Sequence, residues 1–163
     1  MATDTSQEER LSALAQKARD TLGQSGNCAQ TSFAVLQDEF DLDGGGILKA
    51  LTPFPGIALR GETCGAVVGC LMALGLVFGR DRLDDWRGYI YSLPSARRFC
   101  QRFEKEHGST ACASILEARL GRRFNLADRT ESAEYLSAGG PQVCAEVVAS
   151  AVQIAAEAII RKR

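Results

Sequence analysis

The feature that most constrains this chain is an uncharged run of seventeen residues, Thr63 to Gly79, inside the stretch GETCGAVVGCLMALGLVFG (Gly61 to Gly79). Within it Gly65, Gly69 and Ala73 recur every fourth position. On an α-helix that spacing makes one smooth stripe. Glycine costs about 1 kcal/mol relative to alanine in a helix interior, so a helix that carries several puts the cleared space to use. Two uses fit: a tight crossing by another helix, or the close approach of a cofactor to the backbone over Gly65 and Gly69. The run falls short of a membrane span, which needs about 20 mostly apolar residues. Glu62 and Arg80 close it too early. It reads as the central, buried helix of a soluble domain.

No alternating strand pattern competes with the helical spacings on either side. A first helix of about 15 residues, capped by Asp4, Thr5 or Ser6, puts Leu11, Leu14, Ala15 and Ala18 on one face, and residues 1–5 ahead of it read as disordered. Gly23 to Gly26 breaks that helix. Asn27 then caps a second, Cys28 to about Phe40, with Phe33, Leu36 and Phe40 inward. A glycine-rich loop, a short turn over 47–51 and Pro53-Phe54-Pro55-Gly56 lead into the central run. Beyond it, Trp86 to Leu93 has helical spacing interrupted by Gly88 and Pro94. Ser92 to His107 forms a helix closed by Gly108, and Ser109 caps another that ends before Gly121. Gly139-Gly140-Pro141 opens the last helix, which runs to about Ile160 with Arg161, Lys162 and Arg163 at its negative end. The expectation is an all-α, single-domain bundle of about five to seven helices over residues 1–163.

A chain of 163 residues buries about 70% of its unfolded surface and needs no disulfide staples. Its net charge of −1, with signs interspersed, argues against nucleic acid or an anionic membrane as partner. The N-terminal MATDTSQEERLS has no apolar segment of the secretory type, so a cytoplasmic protein is expected. A homodimer suits a helical protein of this size. Asp41 to Gly46 begins like a calcium loop, but Thr52 stands where the bidentate glutamate belongs, and no Gly-Lys-Ser/Thr follows the triple glycine.

The six cysteines carry whatever chemistry the chain has. Free, catalytic or metal-binding thiols are the expectation in a reducing compartment. Four of them, Cys28, Cys64, Cys112 and Cys144, fall at the starts of four different helices. Unpaired N–H groups and the positive dipole end favour a thiolate there, so these thiols are expected to have depressed pKa values. Arg60 and Glu62 flank Cys64 and could tune it. Cys70 and Cys100 fall in helix interiors and read as core packing. Cys64 and Cys70 lie roughly 120° apart on an ideal helix, so they do not share a face. The single histidine, His107, is placed to meet the last carbonyls of its helix. No Cys-x-x-Cys is present, and no Cys-x-x-Cys-His for covalent haem.

The ordered set Asn27-Cys28-Ala29-Gln30, Gly61-Glu62-Thr63-Cys64-Gly65-Ala66-Val67-Val68-Gly69, Phe99 and Phe103, Gly108-Ser109 leading to Cys112, and Cys144 resembles the C_GCAxxG_C_C family over roughly residues 25–150. The central motif here reads Cys64-Gly65-Ala66 rather than Gly-Cys-Ala. Related domains occur in split-Soret cytochromes. The resemblance implies redox activity, with Cys28, Cys64, Cys112 and Cys144 as the family cysteines. Three functions remain open. The four could cycle between dithiol and disulfide with a partner protein or small molecule, Cys64 being the most reactive. They could instead hold an iron–sulfur cluster or another thiolate-bound metal, or they could be core in a structural or interaction protein.

Overall fold

A computed structural model describes residues 2–163, with side chains from Thr5 onward. Among the described residues there are nine helices and no named strand: α1 (Ala2–Ser25), α2 (Cys28–Phe40), α3 (Ile47–Ala50), α4 (Gly56–Leu59), α5 (Gly65–Phe78), α6 (Trp86–His107), α7 (Cys112–Leu120), α8 (Arg129–Ser137) and α9 (Gly140–Lys162). α3 and α4 are single turns, which leaves seven longer helices in an all-α bundle.

α9 is the axis of the bundle. It packs against α1, α2, α5, α6, α7 and α8, and ten of its residues, among them Val147, Val148, Val152, Ile154 and Ile159, are buried. It is long and apolar enough to cross a membrane by length and composition; here its apolar face is covered by other helices. The glycine-striped α5 is therefore not the central helix. It buries Gly65, Ala66, Val67, Gly69, Cys70, Ala73 and Leu74 on one side and leaves Met72 and Leu76 exposed on the other.

The stripe on α5 is a helix crossing. A Cβ at Gly69 would overlap the Ala29 carbonyl oxygen and meet the Phe33 nitrogen at 3.1 Å. A Cβ at Gly65 would overlap the Cys28 sulfur and come within 2.9 Å of the Ala29 nitrogen. The space that could have admitted a cofactor over Gly65 and Gly69 is filled by α2. Phe33, Leu36 and Phe40 of α2 complete this layer in the core, as their spacing predicts.

Local chemistry explains where several helices begin. The Asn27 side chain accepts from the Gln30 N–H at 2.9 Å, so α2 starts at Cys28. Asp128 accepts from the Thr130 and Glu131 N–H groups and starts α8. Two boundaries differ from expectation. α1 begins at Ala2, so residues 2–5, expected to be disordered, form its first turn, and the expected caps Asp4 to Ser6 lie inside the helix; Met1 is outside the described residues. α6 is continuous from Trp86 through Pro94 to His107, and it starts early because the Asp85 carboxylate accepts from the Gly88 N–H at 2.8 Å.

Candidate functional site

The four helix-start cysteines meet around one cavity of about 30 Å³, closed by Ile115, Leu116, Val147 and Val148. Cys28 and Cys112 are the first residues of α2 and α7. Cys64 is the residue that caps α5. Cys144 is the fifth residue of α9, just past its first turn. A short antiparallel pairing sets two of them side by side. The Cys64 N–H donates to the Thr110 carbonyl at 2.8 Å, the Cys112 N–H to Glu62 at 2.6 Å, and the Ala113 N–H to Gly61 at 3.0 Å. The Ser109 hydroxyl accepts from the Ala111 N–H at 3.0 Å, and α7 starts at Cys112, two residues later than a Ser109 cap predicts.

Three of the four sulfurs also face outward. Cys28, Cys112 and Cys144 line a groove of about 550 Å³ whose walls include Leu22, Pro55, Leu59, Tyr135 and Leu136. Cys64 does not reach this groove and is buried. Its place behind the other three weighs against the expectation that it is the most reactive thiol, since an attacking sulfur must reach its target.

Burial also reverses the expected pKa direction. Loss of water around the sulfur pushes Cys28 up to about 12 and Cys112 up to about 11. Cys64 goes well above the ordinary thiol range, and burial raises Cys144 as well, against the pull of a side-chain hydrogen bond. Helix-start N–H groups do act in the opposite sense: those of Gly65 and Cys28 favour the Cys28 thiolate, and that of Ala66 favours the Cys64 thiolate. They are outweighed by desolvation and by neighbouring sulfurs, since charge on Cys112 and Cys144 opposes charge on Cys28, and Cys28 opposes Cys64. The reduced cluster is built to hold neutral thiols.

Tyr135 on α8 is the member that sequence reasoning missed. Its hydroxyl donates to the Cys144 sulfur at 3.1 Å and is the one specific contact that favours that thiolate. Burial and the nearby thiols push the Tyr135 phenol itself far up, so it stays a donor. Its ring lies edge-on to Phe124 at 6.1 Å and against Gly140, where a Cβ would overlap it. Residues 122–138 have weak periodicity, so no sequence signal marked this tyrosine.

The second unforeseen element is α4. Gly56, Ile57, Ala58 and Leu59 have φ of 54°, 50°, 57° and 62°, one turn of left-handed backbone. Gly56 packs on Cys112, where a Cβ would lie 3.5 Å from the sulfur. Left-handed residues other than glycine cost about 1–2 kcal/mol each, and such strain concentrates at sites of function.

The remaining candidates lie elsewhere. Cys70 is in the core against Ser32, and Cys100 packs on the core from α6. His107 does not bond its own helix end; its Nε2 pairs with the Ser150 hydroxyl of α9 at 2.9 Å. Arg60 and Glu62 pair with each other at 2.8 Å on the surface. Among the described residues, no group of three or more histidine, cysteine or acidic side chains is placed to hold a metal ion.

No curated protein and no solved structure matches the chain. The sequence model of the family described as "Putative redox-active protein (C_GCAxxG_C_C)" matches residues 26–158, a span that includes all four cavity cysteines, Tyr135 and the left-handed turn. The chain belongs to the C_GCAxxG_C_C family.

Proposed function

We propose that Cys28, Cys64, Cys112 and Cys144 form one thiol–disulfide redox centre, served from the groove by a disulfide on a partner protein or small molecule. The observation that carries this reading is the shared cavity with three sulfurs opening outward. Cys144 is the first nucleophile, because it alone has a side-chain donor, Tyr135. Its thiolate attacks one sulfur of the partner disulfide, forms a mixed disulfide and expels a partner thiolate. A second cavity thiolate attacks the Cys144 sulfur, closes a protein disulfide and releases the second partner thiolate. The two protons lost by the protein thiols end on the two released thiols, so the partner gains two electrons and the protein loses two. Neutral, buried thiols persist in a reducing compartment, which fits a cytoplasmic setting.

The test is to expose the reduced protein to 2,2′-dithiodipyridine, a neutral disulfide, then count free thiols and map the disulfides by peptide mass. The expected result is loss of thiols in pairs from among these four, with Cys70 and Cys100 still reduced. If all four remain free after prolonged exposure, the proposal fails.

One observation favours a second reading, a thiolate-bound metal or iron–sulfur centre. Four sulfurs from four helices converge, where a single disulfide needs only two. As placed, the sulfurs fit a metal poorly: among the described residues no three donors are grouped to hold a metal ion. Anaerobic purification with metal analysis and a visible spectrum separates the readings; stoichiometric iron or zinc would replace the first with the second. Should serine at all four positions leave stability, spectrum and partner binding unchanged, the cysteines are core and neither reading holds.

A further inference from the structure

Away from the cysteines, α6 and α9 enclose a cleft of about 490 Å³ with Phe78, at the end of α5, at one side. Phe99 and Ile154, both buried, form an apolar floor with Ala158. Arg98, Arg102, Arg161 and Lys162 line it, and among the described residues no carboxylate does. We infer that this cleft is a binding site for a small amphiphilic anion, an apolar or aromatic body bearing one phosphate, carboxylate or sulfonate group.

Part of the positive charge has a structural use. Glu157 is shared by Arg102 at 2.7 Å and Arg161 at 3.4 Å. Lys162 donates to the Val77 carbonyl and sits over the Phe78 ring at 4.7 Å, which answers the negative end of α5. The α9 terminus beside Arg161 and Lys162 carries a further partial negative charge of about half a unit. These together offset about half of the four cations. Arg98 is exposed and has no ion-pair partner among the described residues, so the cleft keeps a net positive field in a chain whose overall charge is −1. The size suits a small ligand, and an apolar floor beneath a few convergent charges is chemistry that such sites use. The floor supplies contact area, and a planar guanidinium supplies two parallel donors to an anionic head.

The probes are 1-anilinonaphthalene-8-sulfonate and its uncharged relative N-phenyl-1-naphthylamine, followed by fluorescence on the full chain. Saturable binding of the sulfonate is expected, displaced by decyl phosphate and not by inorganic phosphate at equal ionic strength. Arg98→Glu, at an exposed position that spares the fold, should weaken the sulfonate about tenfold or more, and Arg98→Lys should recover most of it. Ala158→Leu, which fills the floor, should weaken both decyl phosphate and the sulfonate while circular dichroism shows the helices intact. Equal binding of the neutral probe with no effect of Arg98→Glu would overturn the inference in favour of a plain apolar surface. Displacement by inorganic phosphate alone would also overturn it, since the apolar floor would then be idle. Both readouts are independent of the cysteines.

Discussion

The Tyr135 hydroxyl donates to the Cys144 sulfur at 3.1 Å, joining α8 to α9 at the edge of the four-cysteine cavity. Burial acts on that sulfur in the opposite sense and disfavours its charge. The tyrosine therefore singles out one of four similar thiols, and it does so with a group that itself stays protonated at any physiological pH.

Replacing the hydroxyl tests this directly. Tyr135→Phe keeps the ring against Phe124 and Gly140 and removes only the donor. A hydrogen bond to a charged group is worth about 1.5 kcal/mol or more, and 1.4 kcal/mol is about tenfold in rate. Alkylation of Cys144 by iodoacetamide, followed by peptide mass, should slow about tenfold while Cys112 is little changed. Equal slowing at both positions would mean that the phenol acts on the groove as a whole.

The glycines of α5 make a three-way comparison. Gly69→Ala drives a methyl into the Ala29 carbonyl, and Gly65→Ala drives one into the Cys28 sulfur and the Ala29 nitrogen; backbone cannot give way cheaply. Each should cost about 1–3 kcal/mol or more in urea unfolding, and Gly65→Ala should in addition displace Cys28. Gly75, one turn beyond Leu71 on the same helix, has nothing within 4 Å of an added Cβ. There the substitution should stabilise by about 0.5–1 kcal/mol through helix propensity alone. Destabilisation by Gly75→Ala would show that the exposed side of α5 is covered in solution.

Asn27, Cys28 and the Phe33–Leu36–Phe40 spacing could be read directly, because capping and amphipathic periodicity are local. The four sulfurs could be selected but not ranked. Helix-start N–H groups are visible in a sequence, whereas the burial that overrides them is a property of four helices together. The same reason hid the role of α9, whose ten buried residues look no more central in sequence than the apolar run of α5. Tyr135 and the left-handed turn were out of reach altogether. One lies in a weakly periodic segment, and Ile57-Ala58-Leu59 contains no residue that ordinarily adopts positive φ.

That turn gives a prediction of unusual sign. Ala58 sits at φ 57° and ψ 38°, which glycine adopts without penalty. Ala58→Gly should therefore raise stability by about 1 kcal/mol in thermal or urea unfolding, against the normal direction for alanine to glycine in a helix. If the strain also holds Gly56 against Cys112, the same substitution should loosen the groove and speed Cys112 alkylation. A stability loss of the ordinary helical size would mean that residues 56–59 are right-handed in solution.

The thiols themselves set a pH dependence for the reduced, metal-free protein. Cys28 and Cys112 bind their protons more tightly folded than unfolded, about 12 and 11 against an ordinary value near 9. Below about pH 9 both states carry neutral thiols and the full contribution to stability is present. Above it the unfolded chain releases protons that the folded chain keeps, so unfolding is favoured by each further rise in pH up to the folded values. Urea midpoints should stay level from pH 7 to 8.5 and fall steadily between pH 9 and 11, and serine at Cys28 and Cys112 should make that fall shallower, the raised Cys64 and Cys70 keeping part of it. The same shifts make the native thiols poor nucleophiles near neutrality: Cys112 should react with iodoacetamide about tenfold slower than a free thiol at pH 7.5, its scarcer thiolate being only partly offset by greater intrinsic reactivity. A Cys112 that reacts faster than free thiol would show that the dipole of α7 outweighs burial, and would return the cluster to the activated-thiolate class that helix-start placement alone suggests.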